Sequence, residues 1–155
     1  MFNIGIIGCG KISQVRHIPE YAQNPDARLA GFFDLNKERA QELAVRYGGK
    51  AFDSYEELLA DREIDAVSVC VANNVHAEIT VAALKAGKHV LCEKPMAMNL
   101  KECEDMVRAS KETGRFLMIG HNQRLAKAHA EARKLIESGL IGDIITFKTN
   151  FAHSG

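Results

Sequence analysis

The sequence predicts an α/β domain on an open, mostly parallel sheet wound by helices on both faces, followed by the start of a truncated second domain. Short apolar runs alternate with helical patterns along the chain, and no internal repeat or low-complexity linker interrupts them. Most runs are apolar nearly throughout, as parallel strands buried on both faces are. Strands are expected over residues 3–7, 28–33, 66–71, 89–92 and 116–119. A shorter one near Lys50 to Phe52 is inferred from its place between two helices. Ser54 with Glu57 three places on forms a capping box, and Asn99 with Glu102 repeats it, so both mark helix starts. Ala40, Leu43, Ala44 and Tyr47 share one helical face that should end at Gly48, while Gly87, Gly114 and Gly139 suit the stops of three further helices. Parallel strands joined by short connections require right-handed crossovers, and such sheets bind ligands beyond the carboxyl ends of their strands.

Bulk properties narrow the class further. The 155 residues, 46% of them apolar, suffice for one domain with a sizeable core but not for two ordinary ones. Twenty basic residues balance twenty acidic ones, so no global field recruits nucleic acid or an acidic membrane. No apolar run reaches the roughly 20 residues of a membrane span, and Met1-Phe2-Asn3-Ile4 lacks the basic start of a signal peptide; a cytoplasmic protein is expected. Cys9, Cys70, Cys92 and Cys103 fit neither a zinc ribbon nor a CxxC pair, so inert thiols and no metal site are expected.

The first strand runs into Gly8-Cys9-Gly10-Lys11-Ile12-Ser13, and a helical stretch follows at once. This strand, glycine turn and helix is the setting of a Rossmann-type dinucleotide fingerprint. Gly8 permits the tight turn, Gly10 lets the backbone approach a pyrophosphate, and the helix start offers free N–H groups and a favourable dipole. Ser13 occupies a position usually held by Gly or Ala, and a lone glycine pattern can mark only a turn. Asp34 closes the second strand 21 residues after Ser13, near the spacing of about 20 at which a carboxylate accepts the adenosine ribose hydroxyls. The same aspartate would also serve as an N-cap before Leu35-Asn36-Lys37-Glu38. An acidic side chain here repels a 2′-phosphate, which favours NAD over NADP, although Lys37 and Arg39 lie near enough in sequence to soften the preference.

Two further strand ends are polar without structural need. Ala72-Asn73-Asn74-Val75-His76 follows one apolar run and Glu93-Lys94-Pro95 another, and with the glycine turn they would line one crevice. Asn73 and Asn74 have an alternative role as helix caps, and His76 as a first-turn packing residue. Lys94 directly follows a buried strand, so its ammonium must reach solvent or find a partner, and Pro95 restricts it to an extended backbone that aims the side chain.

Together, Gly8 to Ile12, Asp34, the Asn73 to His76 turn, Glu93-Lys94-Pro95 and Gly120-His121-Asn122-Gln123-Arg124 resemble the glucose-fructose oxidoreductase, inositol dehydrogenase and MocA-type family over essentially the whole chain. The resemblance implies that Lys94 lies beside the nicotinamide and the reacting carbinol as the catalytic residue. It implies that Gly8, Gly10, Lys11, Ile12, Asp34, Ala72, Asn73, Asn74, His76, Glu93, Lys94, Asn122 and Gln123 border the cofactor, with Asn122 to Arg124 toward the nicotinamide or substrate. Leu125 departs from the pattern, standing where the family often has an aromatic residue. The implied activity is hydride transfer between NAD, or less readily NADP, and a secondary alcohol of a sugar or cyclitol, in a homo-oligomer. A non-catalytic dinucleotide sensor is the alternative.

Residues 1–123 then form the dinucleotide-binding domain. The resemblance implies that residues 124–155 form a linker helix and the first strand, 144–151, of a substrate domain that in the family carries an Asp and a His for substrate binding and proton transfer, neither of which is assigned within this chain. His153 belongs to that tail and is not given the family's catalytic role.

Overall fold

The computed structural model describes residues 1–150, so Phe151 and His153 of the expected tail lie outside the described residues. Two compact units make up the chain, Met1–Gly120 and His121–Gly155. The first contains six parallel strands: β1 Phe2–Ile7, β2 Ala27–Phe33, β3 Lys50–Ala51, β4 Ala66–Val69, β5 His89–Cys92 and β6 Leu117–Ile119. Their order across the sheet is β3-β2-β1-β4-β5-β6, a doubly wound arrangement whose direction of winding reverses between β1 and β4.

Five helices belong to this unit: α1 Ile18–Gln23, α2 Lys37–Tyr47, α3 Tyr55–Ala60, α4 His76–Lys85 and α5 Leu100–Thr113. The expected punctuation is present. Ser54 accepts from the Glu57 N–H and Asn99 from the Glu102 N–H, while Gly48 and Gly114 close α2 and α5 with left-handed backbones. Asn36, and not Asp34, caps α2 by accepting from the Arg39 N–H, because Asp34 turns its carboxylate toward the glycine loop.

Two apolar layers sandwich the sheet. Ile4, Ile6, Leu29 and Phe32 pack with Ile18, Ala40, Leu43 and Ala44 on one side. Ile7, Val67, Val69, Val90 and Cys92 pack with Leu58, Ala83, Leu84, Met106 and Ala109 on the other. Burying both faces of β1 and β4 explains why their sequences are apolar rather than alternating.

The strand register decides where function is built. Ile7 pairs with Phe33 and Val69, Val69 with Cys92, and Cys92 with Ile119. The next residue of each strand continues the ladder: Gly8 N donates to Phe33 O at 2.8 Å, Cys70 N to Ile7 O at 2.8 Å, Glu93 N to Val69 O at 2.9 Å and Gly120 N to Cys92 O at 2.8 Å. Asp34, Gly8, Cys70, Glu93 and Gly120 thus stand in a row at the carboxyl edge. Asp34 and Glu93 are three strand spacings apart, about 14 Å.

The second unit holds a short 3₁₀ turn, Asn122–Leu125, and α6, Lys127–Glu137, followed by Gly139 with a left-handed backbone. The strand expected over 144–151 is not formed in residues 144–150. A strand exists only as a rung in a ladder, and no described segment pairs with this one.

Candidate functional site

The glycine turn is built around two glycines that do different work. Gly8 has φ +91°, and a Cβ there would stand 2.5 Å from the Cys70 carbonyl oxygen, so the position accepts no side chain. At Gly10 a Cβ would meet nothing within 4 Å: the backbone faces open space, a cradle that a side chain would fill. Beyond it Lys11 and Ile12 are exposed, and the helix starts with a π-turn, Ser13–His17, before α1. Ser13 is fully buried and its hydroxyl donates to Gly8 O at 2.5 Å, while the Gln14 amide donates to Cys9 O at 2.8 Å. These two bonds fix the turn and explain the departure at Ser13: a hydroxyl is accommodated because a carbonyl receives it.

Asp34 lies against this turn. Its Oδ2 accepts from the Cys9 N–H at 2.7 Å and its Oδ1 from the Asn36 N–H at 2.8 Å. The Arg39 guanidinium approaches Oδ1 to 3.4 Å and is 41% exposed. Lys37 is turned away and paired with Asp53 at 2.5 Å. A carboxylate has about four acceptor sites, so Asp34 retains capacity for hydroxyl donors.

At the end of β4, Ala72, Asn73 and Asn74 are exposed in a 3₁₀ turn, Asn73–Val75. Neither asparagine caps α4, which starts from Val75 without a side-chain cap. His76 is 1% exposed, and its ring nitrogens lie 2.7 Å from Pro95 O and 3.1 Å from Val71 O. A neutral ring carries one N–H, which donates to the nearer carbonyl, Pro95 O, so the side chain ties the start of α4 to the β5 turn and presents no polar atom to the crevice.

At the end of β5, Lys94 is exposed, and among the described residues its ammonium has no hydrogen-bonding or ion-pair partner. Its backbone N–H donates to Glu93 Oε2 at 3.1 Å. The peptide bond to Pro95 is cis. Glu93 Oε1 lies 2.9 Å from His17 Nε2.

The structure therefore brings Gly8, Gly10, Lys11, Ile12, Asp34, Ala72, Asn73, Asn74, Glu93 and Lys94 to one edge of one sheet. Asn122 and Gln123 belong to the second unit, where Gln123 O lies 2.7 Å from His129 Nδ1. His17, Ser68 and Tyr21, which bond to one another beneath this edge, escape sequence reasoning. The available signal is the i, i+4 spacing of Ser13 and His17, which puts both inside the fold. Cys9, Cys70 and Cys92 are buried, and burial pushes the Cys9 and Cys70 thiols up to about 12 and that of Cys92 up to about 11.

A glycine cradle at a helix start, an acidic residue closing the second strand and polar strand ends at the point where the winding reverses define a dinucleotide-binding domain of the Rossmann class. Comparison places it further. The chain belongs to the Gfo/Idh/MocA oxidoreductase family with an NAD-binding Rossmann fold, whose sequence model matches residues 2–121. It is 35% identical over 140 residues to a myo-inositol 2-dehydrogenase of Thermotoga maritima, covering 90% of this chain and 42% of that protein. It is 39% identical over 139 residues to a 1,5-anhydro-D-fructose reductase of Ensifer adhaerens, covering 89% and 41%. A crystal structure of KijD10, a 3-ketoreductase from Actinomadura kijaniata in complex with TDP-benzene and NADP, superposes with a TM-score of 0.84 at 30% identity, covering 92% of this chain and 45% of that one. The chain thus spans less than half the length of these relatives. Among the described residues no helix is long and apolar enough to cross a membrane.

Proposed function

We propose that this chain is the cofactor domain of an oxidoreductase that moves hydride between a nicotinamide dinucleotide and a secondary alcohol carbon of a sugar or cyclitol. The observation that carries the reading is an exposed lysine without a partner among the described residues, at the same sheet edge as the glycine cradle and Asp34. The named substrates of the relatives, myo-inositol and 1,5-anhydro-D-fructose, support the substrate class.

Gly8 and Gly10 bring the backbone close to a pyrophosphate, with Lys11 and Ile12 at the helix start beside it. Asp34 accepts the adenosine ribose hydroxyls. Ala72, Asn73 and Asn74 flank the path toward Glu93 and Lys94. The bound nicotinamide supplies the carbon that accepts or donates hydride. Lys94 directs its ammonium at the substrate oxygen and stabilises the negative charge that develops there. A general base outside this chain takes the hydroxyl proton. NAD is the preferred cofactor, because Asp34 repels a 2′-phosphate.

The test is NAD reduction by the full-length oxidoreductase against a panel of sugars and cyclitols, with Lys94→Ala alongside. Lys94→Ala is expected to keep its NADH affinity and to lose about 10²-fold or more in kcat/KM. Normal turnover by that variant overturns the role of Lys94. Intact NAD binding with no turnover of any polyol points to a sensor.

A further inference from the structure

Beneath the strand ends runs a chain of polar side chains that leads from the buried core to Glu93. Tyr21 comes from α1, Ser68 from β4, His17 from the π-turn and Glu93 from the end of β5. Tyr21 Oη lies 2.8 Å from Ser68 Oγ, Ser68 Oγ lies 3.3 Å from His17 Nδ1, and His17 Nε2 lies 2.9 Å from Glu93 Oε1. Ser68 is fully buried and His17 is 8% exposed.

The donor directions follow from the chemistry of the two ends. An ionised Glu93 only accepts, so His17 Nε2–H donates to it. On a neutral ring Nδ1 is then an acceptor, and it takes the Ser68 hydroxyl proton. Tyr21 in turn donates to Ser68. Every proton in the chain points toward Glu93, and each buried group is satisfied. The second carboxylate oxygen, Oε2, accepts the Lys94 backbone N–H at 3.1 Å. Gly120, at the end of the neighbouring strand, makes room: a Cβ there would stand 3.2 Å from Oε1. Each oxygen of Glu93 therefore accepts one bond, one from the buried chain and one from Lys94.

Four linked polar groups are an expensive way to fill a core, since apolar residues of similar volume would pack there without desolvation cost. What the chain adds is direction. It ends at the backbone of Lys94 and begins in the helix that follows the glycine turn. On the far side His76 holds Pro95 O, so the Glu93-Lys94-Pro95 turn is bracketed by two buried imidazoles.

We propose that His17 is a positioning residue that fixes Lys94 through Glu93 and so ties the aim of its ammonium to the glycine turn. This rests on the reading of Lys94 as the residue at the reacting carbon. Ser13, one helical turn before His17, bonds Gly8 O, so the segment that shapes the phosphate cradle also sets the Glu93 carboxylate.

The test combines kinetics of the full-length oxidoreductase with imidazole ¹⁵N spectra of the 155-residue chain. His17→Leu is expected to lower kcat at least tenfold while KM for NAD changes less than about twofold, with partial rescue in His17→Gln, whose amide still donates. In a Lys94→Ala background His17→Leu should cost nothing further, because its effect passes through Lys94. A merely structural histidine would lower thermal stability in both variants and act independently of Lys94. If Lys94→Ala turns over normally, the reading of Lys94 has failed. If Lys94→Ala is impaired and His17→Leu matches the wild type in kcat, the positioning role is overturned. Should His17→Leu fail to fold, the spectra decide: an Nε2–H tautomer for His17 supports the donor chain, and an Nδ1–H tautomer overturns it.

Discussion

Gly8 and Gly10 offer a clean separation of fold from function, because the structure assigns them opposite surroundings two residues apart. Gly8→Ala puts an L-residue at φ +91°, which costs about 1–2 kcal/mol. Its Cβ would also stand 2.5 Å from Cys70 O and 2.7 Å from the carbonyl carbon, both backbone atoms that cannot step aside. Overpacking of this kind adds about 1–3 kcal/mol. The sum, about 2–5 kcal/mol, corresponds to a fall in Tm of roughly 4–20 °C for a chain of this size. Gly10→Ala meets nothing within 4 Å and needs no left-handed backbone, so its stability should stay within about 0.5 kcal/mol of the wild type. The added methyl group projects into the cradle, and a loss of at least tenfold in NADH affinity, about 1.4 kcal/mol, is expected. Thermal melts by circular dichroism and NADH fluorescence titrations of both variants measure the two effects separately. Wild-type NADH affinity in Gly10→Ala would refute the cradle, and a melt as low as that of Gly8→Ala would refute the account of its surroundings.

Calorimetric titration of the chain should show tighter binding of NAD(H) than NADP(H), and Asp34→Ser should narrow the difference by removing the carboxylate and leaving Arg39 unopposed; equal affinities in the wild type would instead make Arg39 a 2′-phosphate ligand. The isolated chain is also expected to self-associate through residues after Gly139, since Leu140, Ile141, Ile144, Ile145 and Phe147 are all exposed. Burying these five offers about 8–15 kcal/mol against an association cost of about 4–15 kcal/mol, so a weak oligomer should appear in sedimentation and vanish when residues 140–155 are removed; a monomer at high concentration in both forms would refute it.

How much of this was legible in the sequence depended on whether the deciding interaction is local. Helix starts at Ser54 and Asn99 and stops at Gly48 and Gly114 were readable because each cap lies within four residues of its partner. The strands were readable from their apolar runs, although residues 66–71 end as a strand at Val69, where the chain turns toward Asn73. Asp34 was placed correctly at the glycine turn by spacing, yet its alternative capping role fell to Asn36, two residues on. That choice depends on which way a carboxylate points, and the Cys9 N–H that attracts it lies 25 residues away. His17 was invisible for the same reason: its partners Ser68 and Glu93 are 51 and 76 residues distant. The strand expected over 144–151 shows the converse limit, for an apolar pattern can specify a strand only when a ladder exists to receive it.

Partners also separate the two lysines that lie at opposite ends of this sheet. Lys88, just before β5, is buried, and its ammonium donates to Asp61 O and Ile64 O at 2.7 Å each. Burial lowers its pKa from the ordinary lysine value. Its donors close the turn between α3 and β4, so the charge serves the fold. Lys94, just after the same strand, carries an identical side chain whose backbone is held by Glu93 while its ammonium is left without a protein partner among the described residues. Composition and position relative to an apolar strand are alike for both. What distinguishes them is that the protein satisfies one charge itself and leaves the other exposed at the edge where the parallel strands end. A positioned, unsatisfied charge is the arrangement a site requires if its strongest interaction is to be made with a ligand, and made most strongly when charge develops on that ligand.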